Sequence, residues 1–312
     1  MSTAISPPAG VGVIGLGSMG RGVAQSLLKA GFTVHGYDVH DAALQQLAQA
    51  GGMPAASPAE MARHAEAVVI LVVNAEQTES VLFGKEGAAA ALPRGAAVIC
   101  SATVAPDYAA QLGARLQEMG LLMIDAPVSG GAAKAATGEL TVMGSGSAQA
   151  FERCQQVLDA IAARVYRLGD TAGQGSRVKM INQLLAGVHI AAAAEAMAWG
   201  IKAGVDPQTL YDVISQSAGN SWMFENRVPH ILDGDYAPRS AVNIFVKDLR
   251  IVLDAAHRAA FPLPLTAAAH QMFLMAASAG LGAEDDAAVV KIFPGVDLPH
   301  PAAGTNGTGT GA

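Results

Sequence analysis

A glycine-rich turn between an apolar run and an amphipathic run is the feature that most constrains the fold. The turn follows the strand-length run VGVIG and opens a predicted helix. In that context a GxGxxG pattern is typical of a dinucleotide-binding turn, because the glycines permit the tight turn, close approach to a pyrophosphate and close packing of helix on strand. An ordinary glycine-rich turn is the alternative. The predicted cofactor-binding residues of the turn are Gly15, Leu16, Gly17, Ser18, Met19 and Gly20.

Short apolar runs alternate with longer amphipathic stretches from Val11 to about Leu168. This βαβ rhythm predicts an α/β fold whose N-terminal Rossmann-type domain has parallel strands joined by right-handed crossovers. Beyond Gly175 the strand signals end, and Ala-, Leu- and Met-rich stretches at helical spacing predict an all-helical C-terminal domain joined through one long helix. Breaks are expected at residues 204–207, in a loop-rich stretch at 217–240, and at 261–264.

We expect three segments from these patterns. Residues 1–172 form an NAD-binding Rossmann domain, residues 173–297 a helical domain for substrate binding and oligomerisation, and residues 298–312 a disordered Gly/Thr-rich tail.

Composition excludes several classes of partner. The 312-residue chain is 51% hydrophobic and carries a net charge of −7 without a Lys/Arg run, so nucleic acid and anionic membranes are not expected as partners. No secretory signal is recognised, and Cys100 and Cys154 lack CxxC spacing, which favours the cytoplasm. The eight histidines are scattered without HxxxH or HxH spacing, so no metal site is expected.

Asp38 ends the second apolar strand, about 20 residues beyond the glycine turn. At that offset a carboxylate accepts hydrogen bonds from the adenosine ribose and repels a 2′-phosphate, which favours NAD over NADP. The alternative is a strand-end or helix-capping acid. Val73, the last residue of the third apolar run, and Asn74, which follows it, are also assigned to the cofactor.

Two later segments carry the chemistry. Ser129, Gly130 and Gly131 follow a further apolar strand, and their hydroxyl and free amides are suited to hold a substrate carboxylate. A simple strand-to-loop turn is the alternative. Lys179 lies near the start of the long helix and shares a face with Asn182 and Gln183.

The helix dipole and partial burial are both expected to lower the pKa of Lys179 toward the working range of an acid-base catalyst. During hydride transfer such a lysine takes the alcohol proton, and in reverse it stabilises the oxyanion. Taken alone, a helix lysine is more often a solvated surface charge.

The motifs GLGSMG, DAPVSGG and GxGxxxK, in this order, resemble the β-hydroxyacid dehydrogenase family, which includes 3-hydroxyisobutyrate dehydrogenase. The resemblance extends from about Val11 to Phe293. It implies that Lys179 is the catalytic residue and that the Ser-Gly-Gly segment binds substrate. It further implies that Thr103 and Lys247 contact the cofactor and that Asp248 lies at the substrate.

Many family members have an asparagine four residues after the lysine, where this chain has Gln183; either Gln183 or Asn182 is therefore assigned to the substrate. The stretch from Ala218 to Arg227 is similar to the branch that oxidises L-threonate, a sugar acid, at its C2 hydroxyl. Alternatives are 3-hydroxyisobutyrate oxidation, tartronate semialdehyde reduction and, more distantly, nucleotide binding without catalysis. A homodimer or homotetramer built on the helical domain is expected.

Overall fold

The computed structural model describes residues 4–300 of the chain, which divide into two compact units at Asn182 and Gln183. The part of the predicted tail that covers residues 301–312 lies outside the described residues. Each unit has its own hydrophobic core.

The first unit contains a six-stranded parallel sheet with the strand order β3-β2-β1-β4-β5-β6. Its strands are apolar on both sides because helices cover both faces, as is typical of parallel sheets. Val13 and Val69 pack in the core of one face, whereas Ile14 and Ile70 pack in that of the other. The strands are β1 (Gly10–Ile14), β2 (Thr33–Tyr37), β3 (Met53–Pro54), β4 (Ala67–Ile70), β5 (Ala97–Cys100) and β6 (Leu122–Asp125).

Helices connect these strands, which confirms the predicted Rossmann-type domain. They are α1 (Ser18–Lys29), α2 (Asp41–Gln49), α3 (Pro58–Ala62), α4 (Ala75–Phe83) and α5 (Pro106–Glu118). Both cysteines are buried and free.

The last strands of the unit depart from the expected single parallel sheet. They form a second sheet in the order β7-β8-β9, in which β7 pairs antiparallel with β8, and β8 parallel with β9. The run LMIDAPV divides into β6 and β7 around Pro127, because proline cannot donate a ladder hydrogen bond. The elements are β7 (Val128–Ser129), α6 (Gly131–Thr137), β8 (Leu140–Gly144), α7 (Ala148–Ile161) and β9 (Ala162–Arg167).

The long helix α8 (Gln174–Lys202) begins in the first unit and continues into the second. By length and mean hydropathy it is apolar enough to cross a membrane, but core helices of globular proteins meet the same criterion, and 44% of its most apolar window is buried.

The described residues of the second unit are helical, as predicted. The helices are α9 (Pro207–Ser215), α10 (Trp222–Leu232), α11 (Val242–Arg258) and α12 (Pro264–Ala276), followed by a π-helical turn (Ala277–Leu281) and a 3-10 helix (Asp286–Ile292). The expected breaks at 204–207 and 261–264 lie at boundaries between helices, since their last residues are the first residues of α9 and α12. The stretch expected to be loop-rich at 217–240 contains α10.

Candidate active site

The glycine-rich turn between β1 and α1 has the geometry of a close-approach site. Gly15 has a φ of +86°, and a Cβ there would lie 2.9 Å from the Leu71 carbonyl. A Cβ on Gly20 would lie 1.7 Å from the Gly15 oxygen, so helix and turn pack too closely for any other residue. A Cβ on Gly17 would meet open space, so the space beside this residue is available to a ligand.

The start of α1 is suited to an anion. Gly17 is its N-cap and supplies no side-chain cap bond, and the first turn has no acidic residue. The first amides of the helix and its positive dipole end are therefore available to a phosphate, so this turn fits a dinucleotide.

Asp38 follows β2 and lies beside this turn. One of its carboxylate oxygens accepts a 2.6 Å hydrogen bond from the Leu16 amide, and the other accepts a 2.9 Å bond from the His40 amide. The residue does not cap α2, whose N-cap is His40. Because each carboxylate oxygen can accept more than one hydrogen bond, Asp38 braces the turn and can still accept from a ribose hydroxyl.

The ends of β4 and β5 present further polar groups at the carboxyl edge of the sheet. Asn74 caps α4 by accepting a 2.8 Å hydrogen bond from the Gln77 amide, and Val73 is exposed beside it. Thr103 is partly buried. Ser101, which no sequence pattern marks, is 7% exposed, and its hydroxyl has no hydrogen-bond partner among residues 4–300. An unpaired buried hydroxyl at this edge fits a ligand contact, since buried polar groups are normally paired.

The Ser-Gly-Gly segment joins β7 to α6. Ser129 is the last residue of β7, and the two glycines have φ values of +137° and +73°. These values are in the region that favours glycine. A Cβ on Gly131 would meet open space, so the amides of this turn are approachable.

Lys179 lies next to that turn. It is 8% exposed, and its Nζ donates a 2.9 Å hydrogen bond to the carbonyl of Val128, the residue before Ser129. It is therefore not a solvated surface charge. The structure brings the ammonium and the Ser-Gly-Gly turn together within the first unit, as an acid-base role beside a bound carboxylate requires.

Three predicted residues come together within the second unit. Gln183 donates a 2.6 Å hydrogen bond to Asp248, which is buried, and the other oxygen of this carboxylate pairs with Lys247. The longer side chain of Gln183, in the place of the family asparagine, thus reaches this carboxylate. Asn182, one residue earlier, is half-buried.

Two family models match consecutive parts of the chain. Residues 10–169 match the NAD-binding domain of 6-phosphogluconate dehydrogenase, and residues 173–293 match a domain described as NAD-binding of NADP-dependent 3-hydroxyisobutyrate dehydrogenase. An L-threonate dehydrogenase of Cupriavidus necator is 66% identical over 94% of this chain and 98% of its own length. An L-threonate dehydrogenase of Haemophilus influenzae is 55% identical over 94% of this chain and 98% of its own. The chain belongs to the β-hydroxyacid dehydrogenase family.

A solved family structure supports the fold as well. The crystal structure of a 3-hydroxyisobutyrate dehydrogenase from Salmonella typhimurium superposes with a TM-score of 0.88 at 55% identity, and the match covers 91% of this chain and all of that one. The relatives thus carry two different substrate names at similar identity.

Family membership confirms the main predictions from the motifs. The protein is a hydroxyacid dehydrogenase with NAD-binding domains, and its substrate class is a small hydroxy acid.

Among residues 4–300, no group of three or more His, Cys, Asp or Glu side chains is placed to hold a metal ion.

Proposed function

We propose that this protein oxidises L-threonate at its C2 hydroxyl to the 2-oxo acid, 2-dehydro-L-erythronate. NAD, when bound, would supply the acceptor for the hydride that leaves C2. The observation that carries the chemistry is the buried Lys179 ammonium beside the Ser-Gly-Gly turn. The names of two relatives, 66% and 55% identical, support the choice of substrate.

Lys179 is the acid-base catalyst in this proposal. In its neutral form Nζ takes the proton from the C2 hydroxyl as the hydride leaves, and the ammonium returns the proton when the reaction runs backward. Ser129, Gly130 and Gly131 hold the substrate carboxylate through the serine hydroxyl and the turn amides. Asn182, Gln183 and Asp248 bind the substrate hydroxyls.

The cofactor is held by residues at the carboxyl edge of the parallel sheet. The glycine-rich turn from Gly15 to Gly20 takes the pyrophosphate, with Asp38 on the adenosine ribose. NAD is preferred over NADP because the Asp38 carboxylate repels a 2′-phosphate. Val73, Asn74 and Thr103 are further cofactor contacts at this edge. Lys247, which lies on α11 of the second unit, is assigned to the cofactor as well.

In this proposal residues 1–172 form the NAD-binding domain, which also supplies the Ser-Gly-Gly turn to the substrate. Residues 173–297 form the helical domain for substrate binding and for the contacts between subunits. The protein acts in the cytoplasm as a homodimer or homotetramer. Large apolar side chains exposed in the helical unit, among them Trp199 at 71%, support such an association.

A panel of hydroxy acids tests the function. Purified protein is mixed with NAD or NADP and with L-threonate, D-threonate, D-erythronate, 3-hydroxyisobutyrate or glycerate, and nicotinamide absorbance is followed. We expect fast NAD reduction with L-threonate alone. A preference for 3-hydroxyisobutyrate, the second candidate because of the Salmonella relative, would keep the family and overturn the substrate. No reduction with any acid would overturn the proposed function.

A further inference from the structure

Asp125 is a buried carboxylate that the proposed chemistry does not use. It ends β6, is 1% exposed and faces the start of α8. One oxygen accepts hydrogen bonds from the amides of Gly173 (2.9 Å) and Ser176 (2.8 Å), and the other accepts a 2.7 Å bond from the Ser176 hydroxyl.

Ser145 extends the same network. Its hydroxyl donates a 3.2 Å hydrogen bond to Asp125 and accepts a 2.9 Å bond from the Gly175 amide. The first amides of a helix have no partner within it. Here the amides of Gly173, Gly175 and Ser176, at the start of α8, bond to Asp125 or Ser145. Because the first turn of α8 has no acidic residue of its own, Asp125 is the acidic group at the positive end of the helix.

Helix and strand are in close contact at this point. A Cβ on Gly175 would lie 2.2 Å from the Met143 carbonyl oxygen and 2.7 Å from that of Asp125. Only glycine fits there, so the first turn of α8 has little freedom to slide along β6.

The catalytic lysine is fixed to the same segment one helical turn later. Lys179 lies three residues after Ser176, and its hydrogen-bond acceptor Val128 lies three residues after Asp125. The segment 125–128 and the start of α8 are thus joined at two points, which are three residues apart along each segment. Ser129, the first residue of the Ser-Gly-Gly turn, comes immediately after the second point.

We propose that Asp125 is a positioning residue for Lys179: it fixes the start of α8 against β6 so that Nζ stays beside the Ser-Gly-Gly turn. This inference rests on the proposed acid-base role of Lys179. It does not depend on which hydroxy acid is the substrate.

A double-mutant cycle tests the proposal on the acid that the wild-type enzyme oxidises fastest. Asp125→Asn is expected to lower kcat roughly 10- to 100-fold, since small displacements of a catalytic group cost about this much. The dissociation constant for NAD, measured by fluorescence titration, stays within about twofold because the turn at Gly15–Gly20 is untouched. In a Lys179→Ala background, Asp125→Asn lowers kcat less than about twofold, because its effect acts through the lysine.

Two serine variants complete the design. Ser176→Ala keeps the carboxylate and its bonds to backbone amides, so it can replace Asp125→Asn in the test if that variant fails to fold. It is expected to lower kcat when Lys179 is present and to have little effect in the Lys179→Ala background. Ser147→Ala is the matched control, because the Ser147 hydroxyl caps a different helix, α7, by accepting a 3.2 Å hydrogen bond from the Ala150 amide. It is expected to leave kcat unchanged.

Two results would overturn the proposal: a wild-type kcat in both Asp125→Asn and Ser176→Ala, or an equal loss with and without Lys179. The second result would mean that Asp125 only stabilises the fold. Failure of the proposed function is separate, because it would be seen in the wild-type enzyme as no turnover of L-threonate.

Discussion

Lys179 and Lys202 lie on the same helix but differ in their exposure to solvent. Both belong to α8, and each donates a 2.9 Å hydrogen bond to a backbone carbonyl, Val128 for the first and Gly295 for the second. Lys179 is buried, whereas Lys202 is exposed. A buried amine beside the Ser-Gly-Gly turn can exchange a proton with a substrate held there, which an exposed amine at the far end of the helix cannot.

Replacing Lys179 with alanine should separate catalysis from cofactor binding. We expect kcat to fall by about 10²- to 10⁴-fold, the usual contribution of a general acid-base group, with the NAD dissociation constant unchanged. Steady-state kinetics and a binding titration measure the two quantities. Lys202→Ala is the matched control and should retain the wild-type kcat. Wild-type turnover in Lys179→Ala would remove this residue from the mechanism.

Asp38→Ala should weaken the preference for NAD. The substitution removes an acceptor for the ribose hydroxyls and the charge that repels a 2′-phosphate. A hydrogen bond to a charged group contributes about 1.5–3 kcal/mol, so the ratio of kcat/KM for NAD to that for NADP should fall roughly tenfold or more. Asp41→Ala, at the exposed start of α2, should leave the ratio unchanged. An unaltered ratio in Asp38→Ala would show that this carboxylate does not select the cofactor.

Sequence patterns predicted the residues whose structural role depends on neighbours close to them in the chain. Gly15 and Gly20 were recognisable because a single turn and the helix start that follows it require glycine at both positions. Asp125 was not, since its partners at the start of α8 lie 48 to 51 positions further along the chain. Ser101 was missed for a similar reason: only the folded sheet shows that its hydroxyl is buried and unpaired among residues 4–300.

Helix α10 lies in residues 217–240, the stretch that the sequence predicts to be rich in loops. Gly, Asn and Pro cluster around it, and Pro229 lies inside it, which suggested a loop. Its apolar face is nevertheless regular, since Phe224, Val228 and Ile231 are buried at helical spacing. Met223 and Phe224 are buried in the core, whereas Trp222 is exposed.

The start of α10 depends on Ser221. Its hydroxyl accepts a 3.0 Å hydrogen bond from the Phe224 amide. Loss of a serine N-cap costs about 1 kcal/mol when alanine replaces it and only a few tenths when glycine does. We therefore expect urea denaturation to show a free energy of unfolding lower by about 1 kcal/mol in Ser221→Ala and close to wild type in Ser221→Gly.

Ser217→Ala is the control for that measurement, because the Ser217 hydroxyl is exposed and bonds a carbonyl within its own turn. It should change stability little. Equal effects of the alanine substitutions at 217 and 221 would contradict the capping role.

At the scale of the whole molecule, a buried carboxylate links the stability of the helical unit to pH. Asp285 has a fully buried side chain that pairs with His230 at 2.8 Å and accepts a 3.0 Å bond from the Arg239 amide. Burial raises the pKa of Asp285, but the hydrogen bonds from His230 and from the Arg239 and Ala287 amides outweigh it, and the pKa is lowered overall.

The sign of the pH effect follows from that lowered pKa. The ionised Asp285 stabilises the folded state above its unfolded pKa of about 3.9, and this contribution is lost as pH falls through the folded value. The difference in free energy of unfolding between wild type and Asp285→Asn should thus shrink below about pH 4. The difference is used because burial raises the pKa of neighbouring Asp286, which acts with the opposite sign. A difference constant from pH 3 to 7 would contradict this account.

Exposed apolar side chains on the helical unit predict that the chain associates with copies of itself. Trp199 on α8 is 71% exposed, and Leu265 at the start of α12 is exposed to the same extent. Removing such side chains from water favours contact between subunits, so sedimentation equilibrium should give two or four times the 31.6 kDa of one chain. Trp199→Glu places a charge in the contact and should shift the mass toward the monomer. Tyr166→Glu, at a position 46% exposed on β9 of the first unit, should not. A wild-type protein that stays monomeric at all concentrations would overturn the proposed oligomer.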